Sequence, residues 1–175
     1  MAIGTVTGVI GFSDIAGFTR YTHEQGDGAA LALLEQFESI VGASLPPDGR
    51  VVKQLGDGVL VFVPDAAAAL RSAIDQQHAC AAIASADSPL WIRTGLHYGT
   101  PLVRGADLIG HDVNLASRVA DQALPGEILA TADVIGAGPL PAGVCAVEVG
   151  PVFVKGVDDA VRLFRIHQEA GSNRA

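Results

Sequence analysis

Asp14 closes an apolar run, Val9-Ile10-Gly11-Phe12-Ser13, and Asp57 stands between Gly56 and Gly58 where two β-rich runs meet. Two carboxylates at neighbouring strand ends would offer hard oxygen ligands to a divalent cation. Mg²⁺ takes one or two carboxylates and leaves its other positions to water and phosphate oxygens. Glycines beside the acid let a ligand approach the backbone closely. Read singly, Asp57 is an ordinary turn residue and Asp14 a cap; spacing alone does not decide. A second cluster runs Asp107-Leu-Ile-Gly-His-Asp-Val-Asn-Leu-Ala-Ser-Arg118. If 112–119 is helical, Asn114 and Arg118 lie four apart and share a face. An amide and a guanidinium there can hold a ribose and a phosphate, since Arg offers planar, multi-donor recognition of phosphate. The alternative is a solvated helix face.

Other nucleotide and hydrolase chemistries lack their motifs. There is no GxxxxGK[ST], no GxGxxG after the first strand, no HExxH and no GxSxG. His23, His78, His97 and His167 lack a second ligand at metal spacing.

The elements that must position these residues follow from periodicity. Gly8 to Ile15 reads as a buried strand. Between Gly28 and Leu45, Leu34, Phe37, Val41 and Leu45 recur at three- and four-residue spacing, which predicts an amphipathic helix stopped by Pro46-Pro47-Asp48-Gly49. Residues 51–55 and 59–63 flank Gly56-Asp57-Gly58 and predict a hairpin. Asp65 is a suitable N-cap for a second helix carrying Leu70, Ala73, Ile74 and Gln77 on one face. Further strands are expected over 90–98, 127–130, 144–154 and 160–167, with a short helix over 110–119 and a polar tail over 169–175. The order β, α, β, β, α, β, with hairpins and helices segregated, predicts an α+β fold: an antiparallel sheet with helices packed on one face.

Composition bounds the reading. The 175 residues suit one domain, expected over 1–168. Hydrophobic residues make up 49%, too many for a disordered chain. Lys and Arg number 11 against 19 Asp and Glu, a net charge of −8, which argues against a general nucleic-acid binder. Aromatics at 5% do not furnish an RNA-stacking sheet. Acidity still permits a phosphate ligand when metal ions mediate. The longest apolar stretch, 66–86, is broken by Arg71, Asp75, Gln76, Gln77 and His78, so no membrane span is expected. No signal peptide is visible. Cys80 and Cys145 are far apart and read as structural thiols in a reducing compartment, so a cytoplasmic location is expected.

Three blocks, Phe12-Ser-Asp-Ile-Ala-Gly-Phe-Thr19, Val52-Lys-Gln-Leu-Gly-Asp-Gly58 and Asp107 to Arg118, resemble in order and spacing the signature blocks of the class III nucleotidyl cyclase catalytic domain. The resemblance extends over about residues 5–167, implies a ferredoxin-like sheet, and is closest to bacterial adenylyl cyclases. It implies that Asp14 and Asp57, with the Ile15 carbonyl, hold two divalent metal ions, Mg²⁺ or Mn²⁺. It implies that Lys53 and Asp107 select adenine, Asn114 orients the ribose, Arg118 stabilises the transition state and Lys155 binds the triphosphate. It implies ATP as substrate and a head-to-tail homodimer with shared sites, the metal aspartates coming from one subunit and the base, ribose and transition-state residues from the other. Leu108 and Ile109 stand where the family often carries an aromatic residue. The alternatives are a guanylyl or relaxed-specificity cyclase, and a silent nucleotide-binding module of the same fold.

Overall fold

A computed structural model describes residues 4–169. The strands are β1 (Gly4–Thr5), β2 (Gly8–Ile15), β3 (Arg50–Leu55), β4 (Gly58–Val63), β5 (Ile92–Gly99), β6 (Leu102–Arg104), β7 (Asp107–Ile109), β8 (Ile128–Thr131), β9 (Val144–Val152) and β10 (Val161–Gln168). The helices are α1 (Phe18–Gln25), α2 (Asp27–Ser44), α3 (Ala66–Ile83), α4 (His111–Gln122) and α5 (Ala132–Gly136). Seven strands form one sheet in the order β3-β4-β2-β5-β8-β10-β9, and β1-β6-β7 form a small second sheet.

Alternation along the strands sorts the side chains onto two faces. Val9 and Ile15 of β2, with Val59, Val61 and Val63 of β4, pack under α2 and α3. Leu33, Phe37 and Val41 of α2 recur at helical spacing and are almost fully buried there. Each contributes about 1.5–3 kcal/mol of apolar burial. Ile10 of β2 and Leu60 and Phe62 of β4 point the other way, against Leu108 of β7 and Val113 and Ala116 of α4. Leu115 and Val119 of α4 meet Leu129, Val154 and Leu163.

The α+β expectation holds, and two points refine it. The sheet is mixed: β5 and β8 run parallel, in register Thr94 with Ile128, while the other paired strands of the sheet are antiparallel. The helices also occupy both faces, because α4 takes the face opposite α2 and α3. The expected hairpin is present: Leu55 pairs with Gly58, and Gly56 takes φ +63°, the left-handed value that glycine supplies in a two-residue hairpin loop. Asp65 caps α3, its Oδ1 accepting from the Ala68 amide at 2.7 Å. Strand β1, helix α1 and the β6–β7 hairpin went unread in the sequence. Helix α1 is mostly polar and has no buried residue. The β6–β7 hairpin has strands of three residues each, too short to show a period. The polar tail expected over 169–175 lies, beyond Glu169, outside the described residues.

Candidate active site

Asp14 and Asp57 are brought together by the β2–β4 pairing. Asp14 is in register with Gly58, and the Ile15 amide donates to the Asp57 carbonyl at 3.1 Å. A β-carbon at Gly58 would lie 3.1 Å from the Ser13 carbonyl oxygen and 3.3 Å from Asp14 Cβ, so a side chain there would crowd the acid. Asp14 is also in register with Arg93 of β5. The guanidinium grips both carboxylate oxygens, Nε to Oδ1 at 2.8 Å and Nη2 to Oδ2 at 3.0 Å. Burial raises the Asp14 pKa, and its neighbours Asp57 and Asp121 add to the rise; the Arg93 hydrogen bonds and charge pull the other way. The net direction is upward. Arg93 itself is held more firmly protonated by its bond to Asp14. The Ile15 side chain is core, 1% exposed, so only its backbone is available to a ligand.

Lys53 of β3 and Asp107 of β7 meet across 54 residues of sequence, Nζ donating to Oδ2 at 2.8 Å. The other oxygen of Asp107 accepts from the Leu108 amide at 2.8 Å. The Lys53 hydrogen bond, above all, holds the Asp107 carboxyl below the usual range. Leu108 is 1% exposed and anchors β7 in the core beneath the pair.

Asn114 and Arg118 lie four apart on α4, as expected from their spacing. Asn114 is exposed. Arg118 Nη1 donates to Asp121 Oδ2 one turn on, at 3.1 Å. The helix that carries them is pinned at its start. Asp112 Oδ2 accepts the Thr100 amide at 2.7 Å, and Oδ1 stands 3.4 Å from the buried His97 Nε2. His97 Nδ1 lies 2.9 Å from the Thr131 hydroxyl. Nδ1 also stands 3.7 Å from Asp133 Oδ2, so each ring nitrogen has a carboxylate near it. A β-carbon at Gly99 would stand 2.4 Å from the Asp112 carboxylate, which explains the glycine. Lys155 follows the buried Val154 in the loop after β9 and is exposed.

The structure therefore joins Asp14 to the Asp57 turn and Lys53 to Asp107. It sets Asn114 and Arg118 on one helix and leaves Lys155 on a loop. It adds Arg93, whose partner Asp14 lies 79 positions away in the sequence. Among the described residues no three His, Cys, Asp or Glu side chains cluster to hold a metal ion. Any cation would rest on two carboxylates and a carbonyl, a hard-oxygen donor set of the kind Mg²⁺ or Mn²⁺ accepts. The guanidinium on Asp14 shows that this acid already accepts a cationic partner. No helix among the described residues is long and apolar enough to cross a membrane.

A seven-stranded mixed sheet, with Asp14 near the end of β2 and a Lys–Asp pair between β3 and β7, defines an α+β domain. The chain belongs to the adenylate and guanylate cyclase catalytic domain family, whose sequence model matches residues 3–168. An uncharacterised protein of Mycobacterium tuberculosis is 36% identical over 168 residues, covering 93% of this chain and 42% of that protein. An adenylate cyclase of Streptomyces coelicolor is 35% identical over 124 residues, 69% of this chain and 31% of that enzyme. The crystal structure of the adenylyl cyclase CyaB from P. aeruginosa superposes with a TM-score of 0.82 at 26% identity, covering 97% of each chain. The chain thus spans less than half the length of the curated relatives it matches.

Proposed function

We propose that this chain is the catalytic domain of an adenylyl cyclase, spanning 1–168, that converts ATP to 3′,5′-cyclic AMP and pyrophosphate. The observation that carries the reading is the Lys53–Asp107 pair at 2.8 Å. It presents an ammonium donor beside a carboxylate acceptor, the pattern that complements adenine N1 and its 6-amino group. Guanine offers a carbonyl and an N–H on that edge, so the same pair would leave polar groups unmatched, at a cost. The adenylate cyclases among the relatives support the same choice.

In this reading the ribose 3′-hydroxyl gives its proton to solvent as its oxygen bonds to the α-phosphorus, the bond from that phosphorus to the bridging oxygen breaks, and that bond's electron pair leaves with pyrophosphate. Asn114 holds the ribose so that the hydroxyl lies in line with the leaving group. Arg118 places its guanidinium where charge develops. Lys155 neutralises the triphosphate. Asp14, Asp57 and the Ile15 carbonyl would hold two divalent cations, Mg²⁺ or Mn²⁺. Bound there, such ions lower the pKa of the attacking hydroxyl and offset charge on the phosphate. A homodimer with sites shared between subunits completes the reading. Exposed apolar side chains next to site residues, Leu55 beside the Asp57 turn and Phe153 near Lys155, support a partner surface there.

The test is direct. The chain is incubated with Mn²⁺ or Mg²⁺ and either ATP or GTP, and cyclic product is measured against Asp57→Ala. Cyclic AMP from the native chain alone supports the proposal. Product from GTP at a comparable rate moves it to a relaxed-specificity cyclase, and no product from either nucleotide overturns it.

A further inference from the structure

We propose that Arg93 competes with the divalent cation for Asp14, so that the nucleotide-free chain is held in a low-affinity state for metal that nucleotide relieves. This rests on the reading of Asp14 and Asp57 as metal ligands.

Three observations carry it. First, the pair is built in by register. Asp14 and Arg93 are direct partners on neighbouring antiparallel strands, and their side chains project from the same face of the sheet. Second, the contact is bidentate. Both oxygens of Asp14 are engaged, at 2.8 Å and 3.0 Å. A Mg²⁺ or Mn²⁺ ion binds carboxylate oxygen at about 2.1 Å and would have to share those oxygens with a guanidinium a few ångströms away, cation against cation. Third, the pair is withdrawn from solvent, with 33% of the Arg93 side chain and 22% of the Asp14 side chain exposed. Water and salt therefore screen the competition less than they would at the surface.

Arg93 is also the cation among acids. Asp57 and Asp121 both act electrostatically on Asp14 and on Arg93. When a dication takes Asp14, the freed guanidinium needs another anion, and a nucleotide triphosphate supplies one within the same site. Cation and nucleotide then favour each other's binding, and by linkage the effect is reciprocal. Toward the metal ion, Arg93 acts through Asp14.

The test reads metal binding and not turnover. Free Mn²⁺ is followed by electron paramagnetic resonance during titration of the native chain, Arg93→Gln, Arg93→Lys and Asp57→Asn, each with and without 3′-deoxy-ATP, which cannot cyclise. Without nucleotide, Arg93→Gln should bind Mn²⁺ about tenfold more tightly than the native chain, and the analogue should improve its affinity less, a change within the usual range of coupling between sites. Arg93→Lys, a point charge without the two-pronged grip, should fall between, and it keeps the test available if Arg93→Gln fails to fold by circular dichroism. Equal or weaker Mn²⁺ binding by the folded Arg93 variants overturns the proposal. If that happens while Asp57→Asn still abolishes Mn²⁺ binding, the metal reading stands without it. If no chain binds Mn²⁺ even with the analogue, both fall.

Discussion

Gly95 of β5 lies so close under Ala120 of α4 that a β-carbon built on it would stand 2.2 Å from the Ala120 nitrogen and 2.6 Å from its α-carbon. Backbone, unlike the tip of a flexible side chain, cannot turn aside. The seat of the helix carrying Asn114 and Arg118 is therefore set by a missing methyl group. Gly95→Ala is expected to lower stability by about 1–3 kcal/mol through overpacking, and to reduce cyclase activity with it. Gly42→Ala is the control. It lies exposed in α2 with nothing within 4 Å of the added carbon, and should raise stability by about 0.5–1 kcal/mol. Thermal unfolding of the two variants should move in opposite directions.

Asp112 ties the start of the same helix to His97 and to the Thr100 amide. Asp112→Ala leaves the Thr100 amide without its acceptor and should cost about 1–3 kcal/mol. Amide hydrogen exchange over 111–115 should accelerate more than exchange in α2. Equal changes in both helices would point to general loosening and not to a pinned helix.

The Lys53–Asp107 pair predicts a pH signature. Asp107 titrates below its ordinary 3.8 in the fold, first because of the Lys53 hydrogen bond and then with help from the Leu108 amide. A depressed folded value means that the pair's stabilisation is complete above about pH 3.8 and is lost as pH falls through that lower value. Carbon NMR of the Asp107 carboxyl should show this, and Lys53→Met should return the midpoint toward 3.8.

The shared-site reading predicts complementation. Asp14→Ala and Arg118→Ala should each be inactive alone. Mixed in equal amounts and allowed to exchange subunits, half the dimers are hetero-dimers with one intact site of two, so about a quarter of native activity should return. No recovery, with exchange shown by mass labelling, would mean that each site is built from one chain.

Burial pushes the Cys80 thiol up to about 12. It remains protonated at pH 8 and should resist iodoacetamide in the folded chain, since the thiolate is the nucleophile. Cys145, half-buried on β9, should alkylate first, and peptide mass mapping distinguishes them.

Much of the candidate site was legible because its signals are local. Asp14 ends a strand, Asp57 sits in a two-residue turn, and Asn114 and Arg118 are one helical turn apart. Each fact needs only the period of its own element. Of the stripe that the spacing predicted over 28–45, Phe37 and Val41 are core; Leu33 is buried in place of the expected Leu34, and Leu45 caps the helix end. Helix α1 was not legible, since its residues Phe18 to Gln25 are mostly polar and none is fully buried; only Phe18 and Tyr21, partly buried, pack against the α2 cluster, too few to show a period. The face on which α4 would pack was not legible either. That depends on glycines of another strand, Gly95 and Gly99, and a glycine in a strand announces a close approach without naming what approaches.

The amino-acid sequence by itself determined the family, the α+β class and the order of the blocks, because these rest on residue types at short, fixed separations. Only the tertiary structure decided what those residues touch. Asp14 meets Arg93 because β2 and β5 pair in one register, and a slip of one residue would turn either side chain to the opposite face. Lys53 meets Asp107 because the β6–β7 hairpin, residues 102–109, folds Asp107 back over β3. Such contacts arise from strand register and helix seating across 54 and 79 residues of chain. No local period encodes them; they are fixed by the packing of the whole sheet.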